Sequence, residues 1–451
     1  MMPALWPRDR AEARDPRPSA SPSDSRTRLL RRMLMSCLLL GAVSAEAQYI
    51  PDIGTITRSD IPEKEALETA HDEARWKFGG LSVQPWIGIR DASLVTAQDP
   101  DDPDQDSTDL TLTAGAGVRA YLKPSAKITV AAHVLPEYVW WQDREDRRQL
   151  NGRYGAGVFG HANRFDFELS FRRTERQRFF SSEIPLLSSS AQDAAKVAVS
   201  FELSRGISLY AVGQRLDVSG DDDDLEIFTL LDRSEEILAG GIRLESRRGL
   251  WADLGIEEST VDFEGSARSL SNEGTTVGVG VGFSRGRLSG SLDLAFRDIE
   301  PQAGSLFVPF DDTTGAFNFA WNARRLVGIL LFAERGQTYS VDPNQSYLIG
   351  DRYGATVQFS LGQARLQLTG ALGEDDYEGL SDADRFDDVE EWRASLTVPL
   401  GDLFVLGIEG SQLDYDSNFD AFDRTVTSYG VNLRLGKIVE RLSIGDGEST
   451  W

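Results

Sequence analysis

Eight arginines and six carboxylates recur on the polar side of segments that alternate polar and apolar residues. They are Arg119, Arg153, Arg172, Arg243, Arg297, Arg365, Arg393 and Arg434, with Asp166, Glu168, Asp253, Glu257, Asp293 and Glu409. To catalyse acyl transfer or hydrolysis, such groups would have to converge on a histidine, a serine elbow or a metal-ligand pair. The chain has three histidines, His71, His133 and His161, and contains no Gly-x-Ser-x-Gly elbow, His-Glu-x-x-His pair or phosphate loop. Neither an enzyme nor a cofactor is expected. Rows of Arg and carboxylate spread over many segments can instead set a transverse field across a water-filled passage and select solutes. The alternative is that opposite charges pair across neighbouring strands and fill a closed interior with salt bridges.

Three further groups are strongly acidic. Asp99, Asp101, Asp102, Asp104 and Asp106 form one loop, Asp221 to Asp224 a second, and Glu374, Asp375, Asp376, Asp382, Asp384 and Asp387 a third. Oxygen-rich loops can bind Ca²⁺ or Mg²⁺ and so bridge to anionic lipopolysaccharide. None has the calcium-loop spacing with its fixed Gly and terminal Glu, so solvated loops are expected and no metal is assigned. The formal net charge of −25 and the pI near 4.6 lack the basic footprint of a nucleic-acid binder. Cys37 is the single cysteine and lies in a leader, so thiolate and disulfide chemistry are not expected of the exported chain.

The element that must position these charges is clearest at 274–298. Val277, Val279, Val281 and Phe283 fall on one face, with Thr276, Gly278, Gly280 and Gly282 on the other. After Ser284-Arg285-Gly286-Arg287, the residues Leu288, Gly290, Leu292, Leu294 and Phe296 alternate with Ser289, Ser291, Asp293, Ala295 and Arg297. Two period-2 arms around a tight Gly-containing turn make a β-hairpin. Asp and Arg at mid-strand, and Gly where a packed core would want a side chain, suit a wall between lipid and water.

The pattern recurs over 81–91, 109–122, 127–140, 150–161, 164–178, 194–203, 207–218, 235–246, 250–261, 275–284, 288–299, 313–322, 326–338, 352–361, 364–373, 391–400, 403–413 and 425–436, eighteen segments in all. Tight connections such as Ala162-Asn163, Arg285-Gly286, Gly362-Gln363 and Gly401-Asp402 alternate with long polar ones at 92–108, 221–233, 262–274, 374–389 and 414–424. Short turns at one end and long loops at the other are the asymmetry of an outer-membrane barrel, with both termini on the periplasmic side. Eighteen strands leave a lumen wide enough for an aqueous channel, which favours the passage over the filled interior. No run of eighteen or more apolar residues provides a transmembrane helix.

Ahead of the strands, Arg31-Arg32, the apolar run from Met33 and Ala45-Glu46-Ala47 read as a secretory signal with cleavage after Ala47, behind a disordered start. Residues 48–77 hold a helix start at Ser59-Asp60-Ile61-Pro62-Glu63, followed by Ala66, Leu67, Ala70, Ala74 and Trp76 as a modest apolar side. That segment is expected to lie as a short helix against the barrel end, or else to serve as a plug or a docking element for a periplasmic partner. The domains are thus 1–47, 48–77, a barrel over 78–436 and a tail over 437–451. Tyr121, Trp140, Trp141, Trp321 and Trp392 sit near strand ends, either as interfacial anchors or in ordinary packing.

Across 78–436 the chain resembles the outer-membrane β-barrel porins, and within them the β-barrel porin type 2 group. In addition, Ser428-Tyr-Gly430-Val-Asn-Leu433-Arg-Leu435 resembles the final-strand signal that such barrels present to the insertion machinery, here followed by fifteen-odd further residues to Trp451. The resemblance implies an all-β, closed, up-and-down transmembrane barrel of about eighteen strands in the outer membrane, contacting lipid and lipopolysaccharide and passing small solutes without a chemical step. A closed or plugged barrel with a structural or export-partner role, for example in polysaccharide export, is the alternative. A lipid-modifying enzyme, which would require a histidine at the lipid-facing rim, is the third reading.

Overall fold

A computed structural model describes residues 57–435 apart from 59–60, 63, 99–105, 146–147, 180–186, 221–230, 264–268, 325, 343, 380–384, 402–403 and 420–421. The leader, the tail, Ser59, Asp60 and Glu63, Asp221 to Asp224, and Asp99 to Asp104 with Asp382 and Asp384 all lie outside the described residues. A helix, α1 (Lys64–Glu73), and a three-residue strand, β1 (Trp76–Phe78), come first. Nine strands follow: β2 (Leu81–Gln98), β3 (Asp106–Ser125), β4 (Ile128–Trp141), β5 (Gln149–Ala162), β6 (Phe165–Phe179), β7 (Leu187–Ser204), β8 (Ile207–Gly220), β9 (Arg233–Glu245) and β10 (Leu250–Phe263). The other nine are β11 (Asn272–Arg285), β12 (Leu288–Pro301), β13 (Phe310–Arg324), β14 (Val327–Tyr339), β15 (Gln345–Leu361), β16 (Ala364–Gly379), β17 (Arg385–Leu400), β18 (Phe404–Ser417) and β19 (Arg424–Leu435).

Each strand from β2 onward pairs antiparallel with the next, and β19 pairs back onto β2, so eighteen strands close into a barrel. Closure satisfies every edge, which an open sheet in hydrocarbon could not do. The register shifts against β3 at Ile89/Asp91 and against β19 at Ile89/Ala92 both leave the extra residue on β2, so the bulge lies in the strand that closes the barrel. β1 adds three pairs to the start of β2.

The period-2 pattern sets what each face meets. Val277, Val279 and Val281 are 45–47% exposed on the outer surface, whereas Thr276 between them is 2% exposed and points inward. The same outward band holds Leu169 and Phe171 on β6, Leu254 and Ile256 on β10, and Leu292, Leu294 and Phe296 on β12. An apolar outer surface over a polar inner one is the inverse of a soluble sandwich. At the tight turns, Asn163 (φ 59°) and Gly286 (φ 64°) take the left-handed conformation that a two-residue hairpin turn requires.

At the other end the strands run further than the alternation suggested. Residues 374–389 are not one loop: β16 continues to Gly379 and β17 begins at Arg385, so Asp375 and Asp387 are paired strand residues. β2 and β10 likewise extend to Gln98 and Phe263. Composition misled here, because acids interrupt the outer face above the apolar band without ending the ladder. Tyr121 and Trp141 are 2% and 3% exposed and point inward, so they pack the interior and do not anchor an interface. Trp321, 44% exposed, remains on the outer surface.

The tip of the β14–β15 hairpin bends over the long-loop mouth. Tyr339 stacks edge-on against Phe263 of β10 at 5.0 Å, and Asn272 Nδ2 of β11 donates to its hydroxyl at 3.0 Å. The guanidinium of Arg233 on β9 lies 5.3 Å over the same ring, while Asp342 approaches Arg385 of β17 at 4.0 Å. Strands so far apart along the wall meet one side-chain group only if that group reaches across the opening. Leu270, Ile299, Phe307, Phe310, Tyr347 and Ile349 form the apolar cluster that holds the tip there.

Candidate functional site: the lumen and its two mouths

The segment before the barrel enters the tight-turn mouth. Leu67 and Ala70, three residues apart on α1, are 1% and 0% exposed against inward-facing Tyr121, Ala131 and Phe159 of β3, β4 and β5. Full burial of one leucine of this kind contributes about 2 kcal/mol. Lys123, near the end of β3, holds Glu68 at 3.0 Å, and Arg75 donates its backbone N–H to Gln84 Oε1 at 3.0 Å. Upstream, Ile61 packs on Ala198, Tyr210, Val212 and Ala239 of β7, β8 and β9. Further upstream, Thr57 N–H donates to Glu257 Oε2 at 2.8 Å, and Arg58 pairs with Asp293 and lies 3.6 Å from Asp253. The described residues between Thr57 and Glu73 therefore touch the inner wall at β10–β12, then β7–β9, then β3–β5, and occupy that side of the mouth. The helix lies at the barrel end with its apolar side on the inner wall, and Trp76 belongs to β1 with half its surface exposed, not to the helix.

Electrostatics explain the seating. Burial alone would lower the Arg58 pKa, but the hydrogen bond and charge of Asp293, with Asp253 beyond, more than offset it and raise it. On α1, the hydrogen bond and charge of Lys123 hold the Glu68 carboxyl below its ordinary range, and His71 does the same for Asp72.

The charged residues expected on the inner wall divide into local groups. Arg153 Nη2 lies 3.5 Å from Glu137, and Lys196 Nζ lies 3.3 Å from Glu168, whose other oxygen accepts from Ser170 Oγ at 2.6 Å. Asp166 meets His161 at 2.9 Å, Arg243 meets Glu245 at 2.7 Å, and Arg393 meets Glu391 at 2.7 Å. Glu409 accepts from Asn432 at 3.3 Å. Arg119 sits opposite Gln84 and His133, Arg172 opposite Gly155 and Ala194, Arg297 opposite Thr276, and Arg365 opposite Ser360 and Thr397. Arg434 pairs with Val405 and Gly88 through its backbone, and its side chain, like that of Leu435, lies outside the described residues. Ser428 and Gly430 share the inward parity of Ser411 and Glu409, and Leu433 the outward parity of Leu406. These ion pairs run along the wall, between neighbouring positions, and do not bridge opposite sides.

One sector is open. Asn318, Gln358, Ser360, Gln367, Thr369, Ser395 and Thr397 face inward on β13 and β15 to β17 with part of their surface free, and Arg365 is exposed. By contrast, Thr276, Ala295 and Thr314 on β11 to β13 are 2%, 1% and 1% exposed. A passage would run beside β15–β17, opposite the walls that residues 57–73 cover.

Alternation also missed a network at the long-loop end of that wall. Arg385 is clamped between the rings of Tyr377 and Phe422 at 4.0 and 3.8 Å and pairs with Asp387 at 2.7 Å. Arg424 lies 3.7 Å over the Tyr415 ring and 3.7 Å from the same Asp387, and Arg352 pairs with Asp375 at 2.7 Å. Continuing the odd-numbered inward parity of β16 and β17 past Gly373 and before Val389 would have placed Asp375, Tyr377, Arg385 and Asp387 on the inner face. Nothing in the local sequence marked Arg58.

No family model matches the chain, and no curated protein matches it. Solved structures do. Pseudomonas aeruginosa OccK2 (OpdF) is 10% identical, with 79% of this chain and 98% of that one covered at a TM-score of 0.51. The P. aeruginosa outer membrane protein OpdK is 10% identical, with 78% and 98% covered at 0.50. A structure of OpdK with vanillate gives 12% identity over the same shares at 0.50. The chain shares the fold of these OccK-type outer-membrane porins. The porin architecture expected from the alternating strands is therefore the architecture found, eighteen strands included.

Proposed function

We propose that the protein is an outer-membrane channel through which small solutes diffuse passively, with no chemical step. The observation that carries this reading is the partly exposed polar wall of β15–β17 inside a closed barrel with an apolar outer surface. The shared fold supports it, and the vanillate held by OpdK makes small organic solutes the class to test first. The inward Arg and carboxylate rows act as the field that solutes cross. Ser428, Gly430, Leu433 and Leu435 are the handle for the insertion machinery, in keeping with their place in the strand that closes the barrel. Reconstituted protein is expected to conduct ions in planar bilayers and to admit small solutes into liposomes. A folded barrel that does neither, with or without residues 48–75, overturns the reading.

Residues 57–73 in the mouth favour a second reading, a largely plugged barrel that works with a periplasmic partner. Removing 48–75 separates the two: higher conductance indicates an obstruction within a channel, whereas loss of a co-purifying periplasmic protein with conductance unchanged indicates docking. The enzyme reading finds no support in the histidine positions. His133 and His161 face inward and His71 sits on α1, where Nε2 is 3.3 Å from Gly80 O.

A further inference from the structure

The seat of Arg58 is built as a receptor for a cation. Asp253 on β10 and Asp293 on β12 face it, Glu257 holds the preceding backbone N–H, and the Trp251 ring lies 5.4 Å from the guanidinium carbon. The Asp253 side chain is 1% exposed; Tyr210 donates its hydroxyl to Oδ1 at 2.8 Å, and Oδ2 is buried without a hydrogen-bond partner among the described residues. A buried carboxylate oxygen left without a donor is costly, so this one has capacity for a further N–H.

The floor of the seat is glycine. A Cβ built on Gly280 would overlap the Arg58 guanidinium and the Asp293 carboxylate and come within 3.0 Å of Trp251, and one on Gly282 would overlap the indole itself. Gly280 and Gly282 are therefore more than a thin wall: they make the recess in which the guanidinium and the indole lie. The occupant is supplied by a chain segment outside the barrel ladder, held by this contact, by Ile61 and by α1. A planar cation over an aromatic ring with carboxylates at its edges is the arrangement that favours guanidinium over a compact ammonium.

We propose that the recess of Asp253, Asp293, Glu257, Trp251 and Gly280 is a binding site for guanidinium-bearing solutes, which Arg58 occupies from within the chain and for which solute and Arg58 compete. The binding step stands on the recess alone; its consequence for transport rests on the channel reading above. A solute that takes the seat releases Arg58 from the β10–β12 wall and widens the tight-turn mouth.

Agmatine, which carries one guanidinium and one primary ammonium, is the probe, with 1,4-diaminobutane, which has ammonium groups alone, as the control expected not to bind. Titrated calorimetrically into the full-length detergent-solubilised protein, it is expected to bind Arg58→Ala at least tenfold more tightly than the native chain. Arg58→Lys leaves a compact ammonium, a poorer occupant of this seat than a guanidinium, and is expected to fall between the native chain and Arg58→Ala. Adding Asp293→Asn or Gly280→Ala to Arg58→Ala is expected to abolish the binding, with the barrel's far-ultraviolet dichroism reporting that each variant is folded. Equal binding by the native chain and Arg58→Ala, or binding that survives Asp293→Asn, overturns the site. In bilayers, agmatine should raise the conductance of the native chain and leave that of Arg58→Ala unraised. A barrel that binds agmatine but passes no current under any condition refutes the channel and leaves the site standing. Conduction without Arg58-dependent binding refutes the site and leaves the channel standing.

Discussion

At the tight-turn mouth the narrowing element is a segment ahead of the first barrel strand, tied to the wall by side chains. Its points of attachment are Arg58, Ile61, Leu67 with Ala70, and Glu68. At the long-loop mouth the narrowing element is the β14–β15 tip, continuous at both ends with paired strands, and Tyr339 pairs directly with Tyr347. Around it lie an apolar cluster of six buried residues and ring-clamped arginines. Both occupy the opening, but only the first can leave without breaking backbone hydrogen bonds of the barrel. The comparison assigns the variable restriction to the tight-turn mouth and the fixed one to the long-loop mouth.

The largest effect that would sharpen this contrast is removal of 48–75, which is expected to raise single-channel conductance several-fold while leaving the urea unfolding midpoint of the barrel nearly unchanged. A large loss of stability would mean that the segment is part of the wall and not an insert.

Next comes Arg385→Ala. Arg385 and Asp387 have side chains 3% and 0% exposed, and removing one partner of a buried pair costs roughly 3 kcal/mol. Urea unfolding followed by tryptophan fluorescence should register that loss, against a smaller one for Arg58→Ala, whose side chain is 16% exposed where that of Arg385 is 3%. Similar losses for both would erase the distinction between the mouths. A smaller effect is expected for Tyr339→Phe, which removes the hydroxyl bonded by Asn272 and costs about 1 kcal/mol in the same assay.

The smallest effect concerns pH. Lys123 holds the Glu68 carboxyl below its ordinary value of 4.5, so the contribution of this ion pair to holding α1 is complete above that value. It is lost as pH falls through the lowered one. Protease cleavage of 57–73 is expected to increase on acidification below the ordinary carboxylate range, and Glu68→Gln should remove that dependence by cleaving equally across it. An unchanged pH profile in Glu68→Gln would assign the effect to another group.

Much of the barrel could be read from residues alone, because period-2 alternation is dictated by the strand itself. Val277, Val279 and Val281 could not face the same medium as Thr276 and Gly280 in any β conformation. The strand ends could not be read so well: Asp375, Tyr377, Arg385 and Asp387 keep the period but have the composition of a loop, and composition prevailed. The helix was legible, but its position was not. Leu67 and Ala70 mark an apolar side without saying which surface covers it. Arg58 lies in a stretch with no period, and its partners are about 200 residues away in sequence. The glycine run was noticed as a wall with little to pack, whereas its role as a recess depends on Trp251 and Arg58 arriving from elsewhere.

The central claim is that water meets alternate residues along β15–β17 while lipid meets those between. It is tested most directly by single-cysteine variants in a Cys37→Ser background, reconstituted in vesicles and treated with a charged, membrane-impermeant thiol reagent. Cysteines replacing Gln367, Thr369, Ser395 and Thr397 are predicted to react, and those replacing Leu366, Leu368, Leu396 and Val398 to remain unmodified. Equal reactivity on both faces, or none at the inward four, would contradict it.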